Sequence, residues 1–315
     1  SIISAACDTG IGLTLLPTHY QFSGCDLGPL EGGQLRFGTT IDEYETLVHR
    51  VQKMATHISD DFVVGTAVHS LRAIDPSNIA NAAAMSAGPI HMHLAEQQAE
   101  VDEVKRYLGA RPVEWVLANA EIDARWCLIH CTQMLQHEVE SLAVTGAVAG
   151  LCPITEANLG DGIFSATGWR ARNGKFGIGS DSNVRIALAE ELRTLEYTQR
   201  LRDQERAVLA NEGSSVGRTL FETIVDGGAL AAGRESGQIA VGKWCDLCAL
   251  DGSTPDLASE SKDDVIDYFV FASDDKMITD LWSAGRHLVR DGQHVARQKI
   301  ISRYSDAIRD LRAHL

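Results

Sequence analysis

No apolar run in this sequence approaches the roughly 20 residues that a membrane-spanning helix needs, so a protein of that kind is not expected. The opening stretch from Ser1 to Cys7 (SIISAAC) has neither a basic leader region nor a long apolar core, which argues against a secretory signal. Basic residues are the minority: 28 Lys and Arg stand against 43 Asp and Glu, a net charge of -15. A surface that acidic repels phosphate backbones, so nucleic acid is not an expected partner. There is no GxGxxG after a first strand and no Walker loop, which removes the two commonest phosphate-gripping devices. Cysteine is present but unpaired in pattern: the count is seven, and Cys245 and Cys248 form a CxxC with no second pair for zinc. A structural place on a strand pair is the favoured reading of that CxxC. The other thiols sit mostly inside apolar strand-like runs, which suits reduced, buried side chains in a cytoplasmic protein.

What is present looks like an ordinary globular enzyme: 315 residues, 44% hydrophobic and 23% charged, enough for one large domain or a large domain with a small partner. Short apolar runs at 10–20, 62–72, 89–96, 126–131, 147–153 and 175–181 predict strands buried on both faces. Amphipathic stretches at 40–57, 100–108, 113–119 and 138–145 predict helices between them. Such alternation predicts an α/β fold with a parallel sheet. Polar residues close strand after strand: His69 and Arg72, His93 and Glu96, His130, Asp181. A site gathered from many strand ends is the habit of the (β/α)8 barrel, rather than of a doubly wound sheet with one switch point. After about Ser214 the texture changes to a small-residue helix (217–233), two short strands (237–251), and a hairpin with an Asp-Gly turn (276–295).

The run HMHLAE from His91 to Glu96 puts His91 and His93 on one face of a strand, with Glu96 just past its end. An imidazole can hold a divalent metal, and a nearby carboxylate can move protons between water and a leaving nitrogen. A pair of satisfied strand-end polar residues remains the plain alternative. His130, alone at its strand end, reads as structural or as a second ligand or electrophile. Asp181 reads as a metal ligand and proton acceptor or as the N-cap of the next helix. Arg72 suits bidentate capture of a substrate carboxylate, or a salt bridge to a loop acid. The segment 155–162 reads as a polar, Gly-containing loop in which Glu156 and Asn158 could line a pocket. The remaining histidines lack a comparable context.

With these residues in hand, the chain resembles the amidohydrolase superfamily and, within it, the formimidoylglutamate deiminase family of histidine degradation. The likeness runs through HMHLAEQQAEVD (91–102), RPVEW (111–115), DARWCLIH (123–130), GAVAGLCP (146–153), TEANLGDGIF (155–164), GIGSDS (177–182) and the stretch from Glu190 to Asp203. The resemblance implies an incomplete TIM-type barrel of about six of eight units over 1–235, beginning at the third strand. It further implies part of a small β-sandwich domain at 236–300 and a C-terminal helix at 301–315. It implies one divalent metal, zinc, held by His93 and Asp181. Glu96 is then the proton shuttle, His130 orients or polarises the substrate, Asp181 activates water, and His69 and Arg72 hold the glutamate part of formimidoylglutamate. The partner is that small molecule, with no membrane or nucleic acid, and a homodimer is left open.

Two departures accompany the likeness. The family's first barrel strand, ending in a further HxH pair that completes the metal site, is not in this sequence, and Asn183 stands where the family often has His. The other readings are a related deaminase acting on an aromatic base or amidine, and an inactive fragment lacking those ligands.

Overall fold

The computed structural model describes residues 2–257 and 262–314. The expected end points Ser1 and Leu315, and 258–261 within the expected small domain, lie outside the described residues. The strands are β1 (Leu13–Leu15), β2 (Thr18–His19), β3 (Phe62–Val64), β4 (Thr66–Val68), β5 (Ile90–Leu94), β6 (Trp126–His130), β7 (Val148–Leu151), β8 (Lys175–Ile178), β9 (Leu247–Leu250), β10 (Ile278–Ser283), β11 (Arg286–Arg290) and β12 (Gln293–His294). The helices are α1 (Ile2–Thr9), α2 (Ile41–Ala55), α3 (Ile79–Ala84), α4 (Gln98–Leu108), α5 (Pro112–Asn119), α6 (Gln136–Ala143), α7 (Pro153–Leu159), α8 (Ala166–Ala171), α9 (Leu188–Asp203), α10 (Val216–Ala231), α11 (Lys262–Phe271) and α12 (Arg297–Ala313). None is long and apolar enough, among the described residues, to cross a membrane.

Each of the first two predicted strands is one extended run broken once. Pro17, which has no N–H to give, separates β1 from β2. Gly65 separates β3 from β4, where a Cβ would lie 2.2 Å from the Pro89 carbonyl oxygen. Pairing carries across both breaks: the Gly65 N–H donates to Leu15 at 3.1 Å and the Ala67 N–H to Pro17 at 2.9 Å. β1 pairs with β3, and β2-β4-β5-β6-β7-β8 form a six-stranded sheet whose every pair is parallel. This is the expected α/β architecture. Among the described residues the sheet is an open arc with β2 and β8 at its edges, so the barrel is not closed.

β7 is buried along its whole length, as its uninterrupted apolar run requires of a strand covered on both faces. Trp126, Trp169, Phe164 and Phe176 are at most 2% exposed; burying each such side chain contributes about 1.5–3 kcal/mol. α10 lies close on β8 because Gly227 permits it: a Cβ there would stand 2.1 Å from the Phe176 carbonyl oxygen.

β9 to β12 form a second, antiparallel sheet in the order β12-β11-β10-β9. The expected Asp-Gly turn joins β11 to β12, with Asp291 and Gly292 at φ 48° and 70°, the positive pair that a tight hairpin turn takes. Two sequence expectations fail nearby. Of the two strands expected in 237–251 only β9 forms, and Ile239 is 92% exposed. Apolar alternation makes a strand only where a neighbouring strand supplies a ladder of hydrogen bonds, and among the described residues no strand pairs with 237–246. Cys245 lies outside any strand, and Cys7, Cys245 and Cys248 are exposed, whereas Cys25, Cys127, Cys131 and Cys152 are buried. The segment expected as a loop at 155–162 is largely helix α7, begun by Pro153 at its first turn and closed by Gly160 in the left-handed region, the usual N-terminal Pro and C-terminal Gly signals.

An ion-pair cluster centred on a buried acid ties the start of β3 to the antiparallel sheet. Asp61, 3% exposed, pairs with Arg286 of β11 and with Arg234. Arg234 also reaches Asp246 at 2.9 Å.

Candidate active site

The C-terminal ends of four adjacent strands carry a row of aromatic rings. Tyr20, just past β2, meets the His69 ring edge-on with centroids 4.6 Å apart. His69, just past β4, stacks on His93 of β5 at 5.0 Å, and His93 lies 5.6 Å from His130 of β6. Parallel register places these ends side by side: Leu94 is opposite His130 and Val68 is opposite Met92. The backbone is in the left-handed region at Ala95, His130, Cys131 and Asp181, with φ of 53°, 70°, 51° and 52°. Each such non-glycine residue costs on the order of 1–3 kcal/mol, and such strain gathers where side chains must be aimed.

His93 is fixed through its Nδ1, which lies 2.9 Å from the His69 carbonyl oxygen. The N–H must therefore be on Nδ1, which leaves the Nε2 lone pair free. His91 shares the face but is spent otherwise: its Nε2 is 2.7 Å from the Ala231 carbonyl oxygen. His69 places Nδ1 3.0 Å from the Ser70 hydroxyl. Burial, with the neighbouring His93 and Arg72 charges, pushes its pKa down to about 4, so the ring is neutral near pH 7.

His130 is 1% exposed and stands between two carboxylates. Its Nδ1 is 3.3 Å from Glu156 Oε1 and its Nε2 is 3.6 Å from Glu96 Oε1. Burial alone would push it down, but the Glu156 hydrogen bond and the charges of Glu96, Glu156 and Asp181 leave it above the ordinary histidine value. Glu96 moves upward, chiefly because burial disfavours its charge. Glu156 is held in turn by the Cys152 N–H at 2.9 Å. Behind it, burial pushes Glu191 up to about 7, while its Oε2 accepts from the Ile154 N–H at 2.8 Å.

Asp181 is exposed, and its charge is felt at both His93 and His130. The N-cap alternative is overturned, since α9 begins seven residues later behind Ala187. The salt-bridge alternative for Arg72 fails too. Its Nε is buried without a hydrogen-bond partner, and no acid pairs with its guanidinium among the described residues. Its charge reaches His69 and Glu96. Of the two candidates in α7, Glu156 is buried against His130 and Asn158 is exposed.

The donor set suits a divalent metal in kind, through the free His93 Nε2 and the Asp181 carboxylate. It does not close in number: among the described residues no three His, Cys, Asp or Glu side chains converge to hold an ion. Tyr20 and Glu191 were not singled out by the sequence. The signal for Tyr20 was its place one residue past a strand end; Glu191 had none, being one acid among several on a helix.

A model of the amidohydrolase family matches residues 24–288. Formimidoylglutamate deiminase of Pseudomonas aeruginosa is 45% identical over 303 residues, covering 95% of this chain and 66% of that protein. An amidohydrolase from Brucella melitensis superposes with a TM-score of 0.93 at 40% identity, covering 98% of this chain and 68% of that one. An adenosine deaminase from Xanthomonas campestris with bound zinc shares the fold, with a TM-score of 0.81 at 20% identity over 98% of this chain and 69% of that one. The chain thus spans 66% of the length of the curated relative, a little under two thirds.

Proposed function

This chain belongs to the amidohydrolase family, and from that premise we propose that its site hydrolyses the amidine carbon–nitrogen bond of N-formimidoyl-L-glutamate. The products are N-formyl-L-glutamate and ammonia: the oxygen of water becomes the formyl oxygen, and the imino nitrogen leaves. The name of the 45% identical relative supports the substrate. The observation that carries the reading is Arg72, whose buried Nε lacks a partner at the mouth where His69, His93, Glu96 and His130 gather. A buried guanidinium N–H without an acceptor is costly, and a substrate carboxylate supplies the missing partner. A neutral base would leave it unpaired.

His93 Nε2 and Asp181 would hold the metal, zinc in this reading; among the described residues no third His, Cys, Asp or Glu side chain converges with them. When bound, such an ion lowers the pKa of water and polarises the substrate. The remaining work falls to this chain's side chains. Glu96, its pKa raised by burial, accepts a proton from water and returns it to the departing nitrogen. His130, held between Glu96 and Glu156 and biased toward its protonated form, donates from Nε2 to the substrate. His69 stays neutral and contributes a hydrogen bond beside Arg72 rather than a second charge. The test is ammonia release from N-formimidoyl-L-glutamate beside adenosine, with zinc supplied. Release from the former alone is expected; release from adenosine alone would overturn the reading.

A further inference from the structure

Ala95 and Glu96 form the turn that carries the chain out of β5, and Ala95 makes it in the left-handed region at φ 53°. Turns of that kind usually take glycine, and an L side chain stays there only where its surroundings over-determine it. Glu100 supplies the restraint. It lies in the first turn of α4 and is 1% exposed. Its Oε1 accepts from the Ala95 N–H at 3.0 Å, and its Oε2 accepts from the Glu96 N–H at 2.9 Å. An acid three residues into a helix ordinarily reaches back to the N-cap amide. Here the N-cap is Gln97, and Glu100 reaches past it to the two amides before. The opposite side of Ala95 is fixed as well, because the Gln133 N–H donates to its carbonyl at 2.8 Å. Arg111, ion-paired at 2.9 Å with the buried Glu138, bonds the Gln133 carbonyl from behind.

We infer that Glu100 is the positioning residue for Glu96: its carboxylate spans the two amides of the β5 exit turn and thereby aims the Glu96 side chain at His130. This rests on the reading of Glu96 as the proton carrier. A glutamine at 100 keeps the length and burial but offers one good acceptor for two donors, so one amide is left unpaired.

The test compares the wild-type protein with Glu100→Gln and Glu100→Asp by amide hydrogen exchange, thermal midpoint and, with zinc and N-formimidoyl-L-glutamate, kcat and KM. In the wild type the amides of 95 and 96 exchange slowly. Glu100→Gln is expected to speed exchange at one or both by at least about tenfold, with β6 and β7 unaffected, and to lower kcat with KM little changed. Glu100→Asp falls between. Fast exchange at 95 and 96 in the wild type, unchanged exchange in both variants, or loss of protection spread evenly over the sheet overturns the inference. If Glu96→Gln leaves turnover intact, the reading of Glu96 fails, while the exchange data still decide what Glu100 holds.

Discussion

The Nδ1 of His93 lies 2.9 Å from the carbonyl oxygen of His69. One strand-end histidine thus sets the tautomer of the next through its backbone, and the Nε2 lone pair of His93 stays unshared, where the proposed metal would bind.

Replacement of His93 tests that relationship directly. His93→Ala should weaken zinc binding by at least about tenfold, since loss of even an outer-shell partner of a ligand typically costs about 10–100-fold. Calorimetric titration with zinc alone measures it, apart from any turnover. Equal affinity in the variant would remove His93 from the ligand set.

Arg72→Met should lower kcat/KM for N-formimidoyl-L-glutamate by roughly 30-fold or more, because truncating one partner of a buried charge pair costs about 2–5 kcal/mol. Steady-state kinetics with purified substrate gives the number. An unchanged kcat/KM would show that another group holds the carboxylate.

Much of this site was legible because strand ends are legible. The runs before His69, His93, His130 and Asp181 are short and mostly apolar, so the polar residues that close each run mark a strand's C-terminal end. Glu100 was not legible as a positioning group: an acid in a first helical turn is common, and only the fold shows that it reaches back to residues 95 and 96. Helix α7 was hidden by Asn158, Gly160 and Gly162, which signal a turn more loudly than Pro153 signals a helix start. The false strand at 237–246 has the right alternation at Ile239 and Val241, but alternation says which face is apolar and not what pairs with it.

The cluster joining β3 to the antiparallel sheet predicts an acid-sensitive contribution to stability. Although burial opposes its charge, hydrogen bonds from Arg286, Ser59 and Arg234 hold Asp61 down at about 2. A folded pKa below the unfolded value of about 3.9 stabilises above that pH, and the contribution fades as pH falls through the folded value. Asp61→Asn should therefore be less stable than wild type by about 2 kcal/mol at pH 7. The gap should narrow as pH drops from 4 toward 2. Urea unfolding across that range checks it, and a gap independent of pH would remove the charge from the explanation.

The central claim is that Glu96 carries the proton in hydrolysis of N-formimidoyl-L-glutamate, and ammonia release by wild type and Glu96→Gln tests it most directly. With zinc present, the wild type should release one ammonia for each N-formyl-L-glutamate formed. Glu96→Gln, folded with an unchanged thermal midpoint, should be slower by about 10²–10⁴-fold, the range for loss of a general acid–base group. A wild type that releases no ammonia, or a variant that matches its rate, would contradict the account.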